Sequence, residues 1–110
     1  MSVIDEIAAE RARQVAVEGW MFEHDDAHTD GSLAQAAAAY AAAAGLVNRN
    51  PSTLGIIFAR IWPRTWSTIW FKPKTPRRDL IRAGALIVAE IERLDRADWL
   101  ECEKEREANA

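Results

Sequence analysis

Residues 32–47 read Ser32-Leu33-Ala34-Gln35-Ala36-Ala37-Ala38-Ala39-Tyr40-Ala41-Ala42-Ala43-Ala44-Gly45-Leu46-Val47, and this stretch decides the fold of the chain. Alanine has the highest helix propensity, and its small side chain lets neighbouring helices approach closely. A helix that is apolar on every side is normally buried. The stretch therefore predicts a central helix, buried either within the monomer or between subunits.

Signals at helix starts predict the remaining elements on both sides of this central helix. The predicted ranges are residues 3–18, 52–61 and 76–100. Ser2, Asn50 and Thr75 are favourable N-cap residues, and a proline directly follows two of them, at the first helical position. Other prolines make a long regular element unfavourable between residues 62 and 75. No segment has the alternating pattern of a strand.

The last predicted helix has an apolar stripe at the spacing of a coiled-coil seam. The stripe comprises Leu80, Gly84, Ile87, Ile91 and Leu94. Because a chain of 110 residues buries only a modest share of its surface, such helices gain from an additional partner. The sequence therefore predicts one small all-α domain over residues 1–110, with three main helices and one short helix, completed by homo-oligomerisation.

Composition excludes several classes of protein. The formal net charge of −3 argues against general nucleic-acid binding, which normally requires a basic domain. No apolar run is long enough to span a membrane, and the first residues lack the pattern of a signal peptide. The single cysteine, Cys102, excludes an intrachain disulfide and favours a reducing compartment. We expect a cytoplasmic protein.

Charge is strongly segregated along the chain. Residues 1–48 have a net charge of −6, residues 49–78 of +7 and residues 79–110 of −4. The basic aromatic segment, residues 49–78, has no acidic residue. Its basic and aromatic side chains include Arg49, Arg60, Trp62, Arg64, Trp66, Trp70, Phe71, Lys72, Lys74, Arg77 and Arg78.

Two interpretations of the basic aromatic segment are open. Indole faces stack on bases, while guanidinium and ammonium groups bind phosphate. This interpretation assigns a nucleotide to Arg64, Trp66, Trp70, Lys72, Arg77 and Arg78. Alternatively, the tryptophans cover the core or form an oligomer interface, where tryptophan and arginine are common.

Arg77 and Arg78 are the sharpest local anomaly. They occupy the first turn of the last predicted helix, where the helix dipole disfavours cations and favours anions. Two arginines at such a position indicate that an anion binds nearby.

The predicted loop over residues 19–31 is acidic and contains both histidines of the chain. Asp25 and Asp26 supply hard oxygen ligands for Mg²⁺ or Mn²⁺, and His24 and His28 suit transition metals. These four residues are the predicted metal ligands. The alternative is a solvated loop in which Asp30 caps the central helix.

Several motifs together resemble a known family. They are Glu10-Arg11-Ala12-Arg13-Gln14, Glu18-Gly19-Trp20, His24-Asp25-Asp26-Ala27-His28, Gly31-Ser32-Leu33-Ala34-Gln35-Ala36-Ala37 and the closing helix Arg77–Arg96. They are similar to phage and prophage proteins with a dATP/dGTP diphosphohydrolase domain, which belong with the MazG-like all-α nucleotide pyrophosphohydrolases. The similarity covers about two-thirds of the chain.

The resemblance implies an oligomeric helical fold that binds nucleoside phosphates through acidic helices and divalent metal. MazG-like enzymes hold Mg²⁺ with a Glu-Glu-x-x-Glu helix and a later Glu-x-x-Asp. Here the helix after Gly31 has no carboxylate, and Glu92-x-x-Asp95 is the loose equivalent of the later element. If the chain is an enzyme, its catalytic candidates are Glu10, Asp26, Glu90 and Glu92.

Three functional hypotheses follow. The first is a phage or prophage protein that sequesters a linear or cyclic nucleotide without efficient turnover, for instance a signal in host antiviral defence. The second is a Mg²⁺-dependent dATP/dGTP diphosphohydrolase. The third is a protein–protein inhibitor that docks through the basic aromatic segment.

Overall fold

A computed structural model of the chain describes residues 2–18 and 29–110. The helices are α1 (Val3–Glu18), α2 (Ser32–Ala44), α3 (Pro51–Arg60) and α4 (Pro76–Ala108), with one 3₁₀ turn over Thr68–Trp70. The described residues contain no strand. The prediction of an all-α fold is therefore confirmed.

The helix starts follow the predicted capping chemistry. The Asn50 side chain accepts from the Thr53 amide while Thr53 bonds back to the Asn50 amide, and the Thr75 side chain accepts from the Arg78 amide. At the start of α2 the N-cap is Gly31, with a left-handed φ of 81°, and Asp30 accepts from the Ser32 amide at 3.0 Å. Local hydrogen bonds of this kind fix helix starts.

Two helix ends differ from their predicted positions. The central helix ends at Ala44 rather than at residue 47, and Arg49 donates to the Ala43 carbonyl just before that end. The last helix continues to Ala108 rather than ending near residue 100. Its final turns consist of good helix formers and include an ion pair between Arg106 and Glu103 at 3.0 Å.

The core lies where α2 packs between α3 and the first half of α4, while α1 packs on another side of α4. Alanines of α2 fill the centre, as the opening stretch predicted. The fully or nearly fully buried hydrophobic side chains of this core are Leu33, Ala36, Ala37, Ala39, Tyr40, Ala43, Ile57, Trp62, Trp66, Ala83 and Leu86.

Aromatic rings of the basic aromatic segment complete this core. Trp62 and Trp66 are each 5 % exposed, and their ring centroids lie 5.6 Å apart in a T-shaped arrangement. Trp66 makes a second T-shaped contact with Trp70, also at 5.6 Å. Edge-to-face contacts of this kind stabilise aromatic clusters. Packing is thus one observed role of these tryptophans.

The molecule is elongated. Its extents are 59 × 34 × 22 Å, and its radius of gyration is 15.9 Å. A compact domain of this length has a radius of gyration of about 13 Å. The C-terminal half of α4 accounts for the difference, because Arg93 is the last buried residue of that helix. None of the described helices combines the length and apolar character needed to cross a bilayer.

Candidate functional site

One cleft between α1 and the beginning of α4 gathers charged side chains from both helices. We call it the arginine cleft; it has a volume of about 340 Å³ and is lined by Glu6, Ala9, Glu10, Arg13, Thr75, Arg77, Arg78 and Ile81. Two of the six predicted nucleotide-binding residues, Arg77 and Arg78, belong to it. Its lining has three arginines and two glutamates, so the cleft has a formal charge of +1.

Glu10 forms the floor of the arginine cleft. It is 2 % exposed, and Arg13 donates to both of its carboxylate oxygens at 2.7 Å. Arg78 donates to the same carboxylate, and the Gln14 amide nitrogen donates at 3.3 Å. Burial alone would raise the pKa of the Glu10 carboxyl, but the hydrogen bonds and charges of Arg13 and Arg78 hold it below its ordinary value. Glu10 is therefore ionised at neutral pH.

Glu6 and Arg77 form the outer edge of the cleft. Arg77 donates through both terminal nitrogens to the Glu6 carboxylate, at 3.0 and 2.5 Å. The side chain of Arg77 is 65 % exposed and that of Glu6 is 31 % exposed. The hydrogen bond from Arg77 lowers the pKa of the Glu6 carboxyl, and Glu6 in turn raises the pKa of Arg77. This bidentate pair is held at the surface, where water competes with it.

A small inner pocket adjoins the arginine cleft and shares Glu10 and Arg13 with it. Its volume is about 10 Å³, and its further lining residues are Gln14, Tyr40, Trp70, Lys72, Arg82 and Leu86. Trp70 and Lys72, two more of the predicted nucleotide-binding residues, thus lie beside the same buried carboxylate as Arg77 and Arg78. Four of the six predicted residues therefore line one of two adjoining pockets that share Glu10, and Arg78 is the one of the four that donates to its carboxylate.

Two buried polar atoms of the inner pocket lack a hydrogen-bond partner. They are the side-chain oxygen of Gln14 and the Nε of Arg82. Gln14 is 2 % exposed and Arg82 is 8 % exposed. Because an unsatisfied buried polar group costs about 1–3 kcal/mol, such groups usually have a function or bind a molecule. Both residues line the inner pocket, but the two unpartnered atoms themselves have almost no accessible surface.

The other two predicted nucleotide-binding residues lie elsewhere. Arg64 is exposed and lines a separate cavity of about 440 Å³ that also includes Arg60 and Trp62. Trp66 is part of the core, where neighbouring rings cover its indole. A base reaches the faces of Trp66 only if these neighbours move. Geometry thus divides the predicted set into four residues at one site and two outside it.

The three glutamates of the enzyme hypothesis are individually paired with arginines. Glu10 binds Arg13 and Arg78, Arg93 donates to Glu90, and Arg11 donates to Glu92 at 3.4 Å. Within the described parts of the chain no three metal-binding side chains form a cluster. Arranged in this way, the three glutamates do not form a magnesium site with one another.

Residues 19–28 of the predicted acidic loop lie outside the described residues. Asp26, the remaining catalytic candidate, and the predicted metal ligands His24, Asp25 and His28 all fall between residues 19 and 28. Metal binding by this loop therefore stays a prediction.

Sequence reasoning missed one buried ion pair at the start of α4. Asp79 is fully buried, accepts from Arg49 at 2.6 Å and accepts from the Lys74 amide at 2.8 Å. Arg49 also donates to the carbonyls of Ala43 and Lys74. One cation of the basic aromatic segment is thus a structural tie between α2 and α4. A hint was present in the sequence, since Asp79 is an acid in the first turn of an otherwise basic helix start.

Comparisons with known proteins identify no relative. No protein-family model, no curated protein and no solved structure matches this chain. The resemblance to MazG-like phage proteins therefore stays a prediction, and the site has to be interpreted from its own chemistry.

Proposed function

We propose that this chain is a cytoplasmic nucleotide-binding protein that sequesters its ligand, with the phosphates held in the arginine cleft. The observation that carries the proposal is the convergence of Arg13, Arg77 and Arg78 on one cleft at the start of a long helix. Guanidinium groups bind phosphate oxygens in the same bidentate geometry that they use for carboxylates. The cleft therefore has the donors that a phosphate group requires.

Exposure determines which carboxylate a phosphate displaces. The pair of Arg77 with Glu6 lies at the surface, and exposed ion pairs contribute little to stability. A phosphate with a charge near −2 competes well for Arg77 against the single charge of Glu6. Glu10 stays in place, because it is buried and bound by several donors. In the free molecule, the Glu6 carboxylate thus binds Arg77, and a phosphate can take its place.

The beginning of α4 adds a second attraction. The helix has 33 residues, and its first turn lies at the cleft with Thr75 as N-cap. The positive end of a helix dipole favours an anion there. The adjoining inner pocket is lined by Gln14 and Arg82, whose side-chain oxygen and Nε lack a partner. That pocket, at about 10 Å³, has room for at most about one water molecule, so the support for a phosphate comes from the arginine cleft and the helix start.

Sequestration is favoured over hydrolysis by the ion pairs of the acidic helices. Hydrolysis of a phosphoanhydride relies on cations that neutralise developing charge, and carboxylates hold those metal ions. Glu10, Glu90 and Glu92 instead hold arginines. A binder with this arrangement suits the role of a phage or prophage sponge for a nucleotide signal, which the family resemblance suggests.

Calorimetric titration with linear and cyclic nucleotides tests the proposal. We expect binding of at least one nucleotide, weakened tenfold or more by Arg77→Gln because one bidentate phosphate contact is lost. The matched control is Arg64→Gln, which removes an equally exposed cation of the same segment outside the cleft. Loss of binding in Arg64→Gln but not in Arg77→Gln would instead place the binding site at the cavity of about 440 Å³ that Arg64 lines.

Two further outcomes would reject the proposal. Absence of heat with every nucleotide, from a protein whose circular dichroism shows folded helices, excludes nucleotide binding in the tested range. Pyrophosphate release from dATP or dGTP with Mg²⁺, abolished by EDTA and by Asp26→Asn, would identify the diphosphohydrolase of the second hypothesis instead. Both measurements use the full chain.

A further inference from the structure

One face of α4 exposes large apolar side chains to solvent. Leu80, Ile87, Ile91 and Leu94 are each between 47 % and 54 % exposed. Their spacings of seven, four and three residues place them on a single side of the helix. The sequence predicted this stripe with Gly84 as a fifth member; Ile7 of α1 packs over Gly84, whereas the four larger side chains stay about half exposed. We call this face the α4 stripe.

A shallow apolar groove lies beside the α4 stripe. It has a volume of about 250 Å³ and is lined by Ala34, Ala37, Ala38, Ala41, Ile87, Glu90 and Ile91. Three of its alanines, Ala34, Ala38 and Ala41, are exposed residues of α2. Because alanines leave room for a close helix approach, the groove accepts branched side chains from a neighbouring helix.

The C-terminal half of α4 extends beyond the body of the molecule. Residues 94–108 follow the last buried position of the helix and add roughly 22 Å of length. They expose Trp99 and Leu100, at 62 % and 51 %. An isolated helix of about 15 residues is only marginally stable in water. This overhang therefore gains stability if a partner helix packs along it.

We propose that the α4 stripe and its groove bind a second copy of this chain in an antiparallel, two-fold symmetric dimer. The surface is self-complementary, because it offers branched side chains from α4 and spaces between alanines from α2. A two-fold axis near Ile91 places the stripe of each copy against the groove of the other. The overhang of each copy then lies along the first half of its partner's α4.

Charge determines the antiparallel orientation. Residues 94–110 have a net charge of −3, whereas residues 72–78 just before and within the start of α4 have a net charge of +4. An antiparallel pair brings the acidic overhang of one copy near the basic start of the other. A parallel pair would place two acidic overhangs side by side, which costs energy through like-charge repulsion.

Sedimentation velocity of the full chain tests the dimer. We expect a mass of twice 12.3 kDa for the natural sequence and a monomer for Ile91→Glu, which places a charge at the two-fold axis. The matched control is Ile56→Glu, an equally exposed isoleucine on α3 far from the stripe, which should stay dimeric. Circular dichroism verifies that both variants keep their helices. A monomeric natural protein, or a dimer that Ile91→Glu leaves intact, overturns the proposal.

Cys102 can distinguish an antiparallel from a parallel dimer in the same sample. It is exposed and lies eleven residues, three helical turns, after Ile91, so it belongs to the same face of α4. In the antiparallel dimer the two sulfurs are roughly 33 Å apart, so mild oxidation gives no disulfide-linked dimer. Rapid quantitative cross-linking would show a parallel pair and overturn the orientation. Because these assays measure mass and cross-linking, the dimer proposal and the nucleotide proposal can fail independently.

Discussion

Two of the arginine–carboxylate pairs that attach the first turn of α4 to other parts of the molecule differ in burial. Arg49 binds Asp79, which is fully buried, whereas Arg77 binds Glu6 at the surface. Both pairs have short contacts between the same chemical groups. Burial is what separates a structural tie from a contact that a ligand can replace, because water and salt compete only with the exposed pair.

The buried pair should give the largest effect on stability. Arg49→Met leaves the Asp79 carboxylate charged and without its cation, and removing one partner of a buried pair costs about 3–5 kcal/mol. It also removes the donor to the Ala43 carbonyl at the end of α2. Urea unfolding of the full chain measures the loss of unfolding free energy.

Arg60→Met is the matched control for this measurement. Arg60 is an exposed cation of the same basic aromatic segment, and surface changes of this kind usually stay within about 0.5 kcal/mol. If both variants lose the same stability, burial of Asp79 is not what distinguishes the two arginine pairs.

Glu10 lies between these two pairs in burial, because its carboxylate is buried and the arginines that bind it are partly exposed. Glu10→Gln should cost about 1.5–3 kcal/mol, the range for hydrogen bonds to a charged group. The pKa of Glu10 is lowered in the folded state, so its contribution is present above the ordinary value of 4.5 and is lost as the pH falls through the folded value. Unfolding free energy below pH 4.5 should therefore fall less steeply in Glu10→Gln than in the natural protein.

Glu6→Gln provides the contrast for the pH measurement. Arg77 also lowers the pKa of Glu6, but the pair is exposed and solvent screens it. We expect the pH profile of Glu6→Gln to follow that of the natural protein. Equal flattening by both variants would contradict the distinction by burial.

Hydrogen bonds between neutral groups should contribute less to the free energy of unfolding than the buried ion pairs do. The Tyr40 hydroxyl donates to the Trp70 carbonyl at 2.7 Å and accepts from the Lys72 amide at 3.0 Å. Tyr40→Phe removes both bonds and should cost about 1–2 kcal/mol. Hydrogen exchange at the Lys72 amide should accelerate, while the Asp79 amide, which donates to the Thr75 carbonyl, serves as an internal control. Unchanged exchange at Lys72 would show that this bond does not hold the segment.

Local features of the fold were predictable from the sequence. The alanines of α2 and the caps at Asn50 and Thr75 act over a few residues, so their signals are complete within a short window. The predicted end of the last helix, near residue 100, was wrong by several residues, because charged helix formers continue the helix beyond Leu100.

Long-range pairing was not predictable from the sequence. Arg49 and Asp79 are 30 residues apart, and no periodicity links them. The prolines around Trp62 and Trp66 remove the helical period that would have indicated which way each indole points. At the arginine cleft the sequence indicated an anion near Arg77 and Arg78, and the structure shows carboxylates of α1 bound there. The residue types of the site were therefore predictable, whereas the partners of those residues required the fold.

The exposed pair should give the smallest effect on stability, and this is what makes it suitable for exchange. Arg77→Gln removes a surface cation whose attraction to Glu6 is offset by side-chain ordering and screened by salt, so the thermal midpoint of the free protein should not change. The same variant should reduce the rise of the midpoint that a bound nucleotide causes, because ligand stabilisation depends on affinity. Differential scanning fluorimetry with and without nucleotide measures both quantities. Should Arg77→Gln lower the midpoint of the free protein as much as Arg49→Met does, the Glu6 contact is a structural tie and a phosphate has no exchangeable carboxylate to replace.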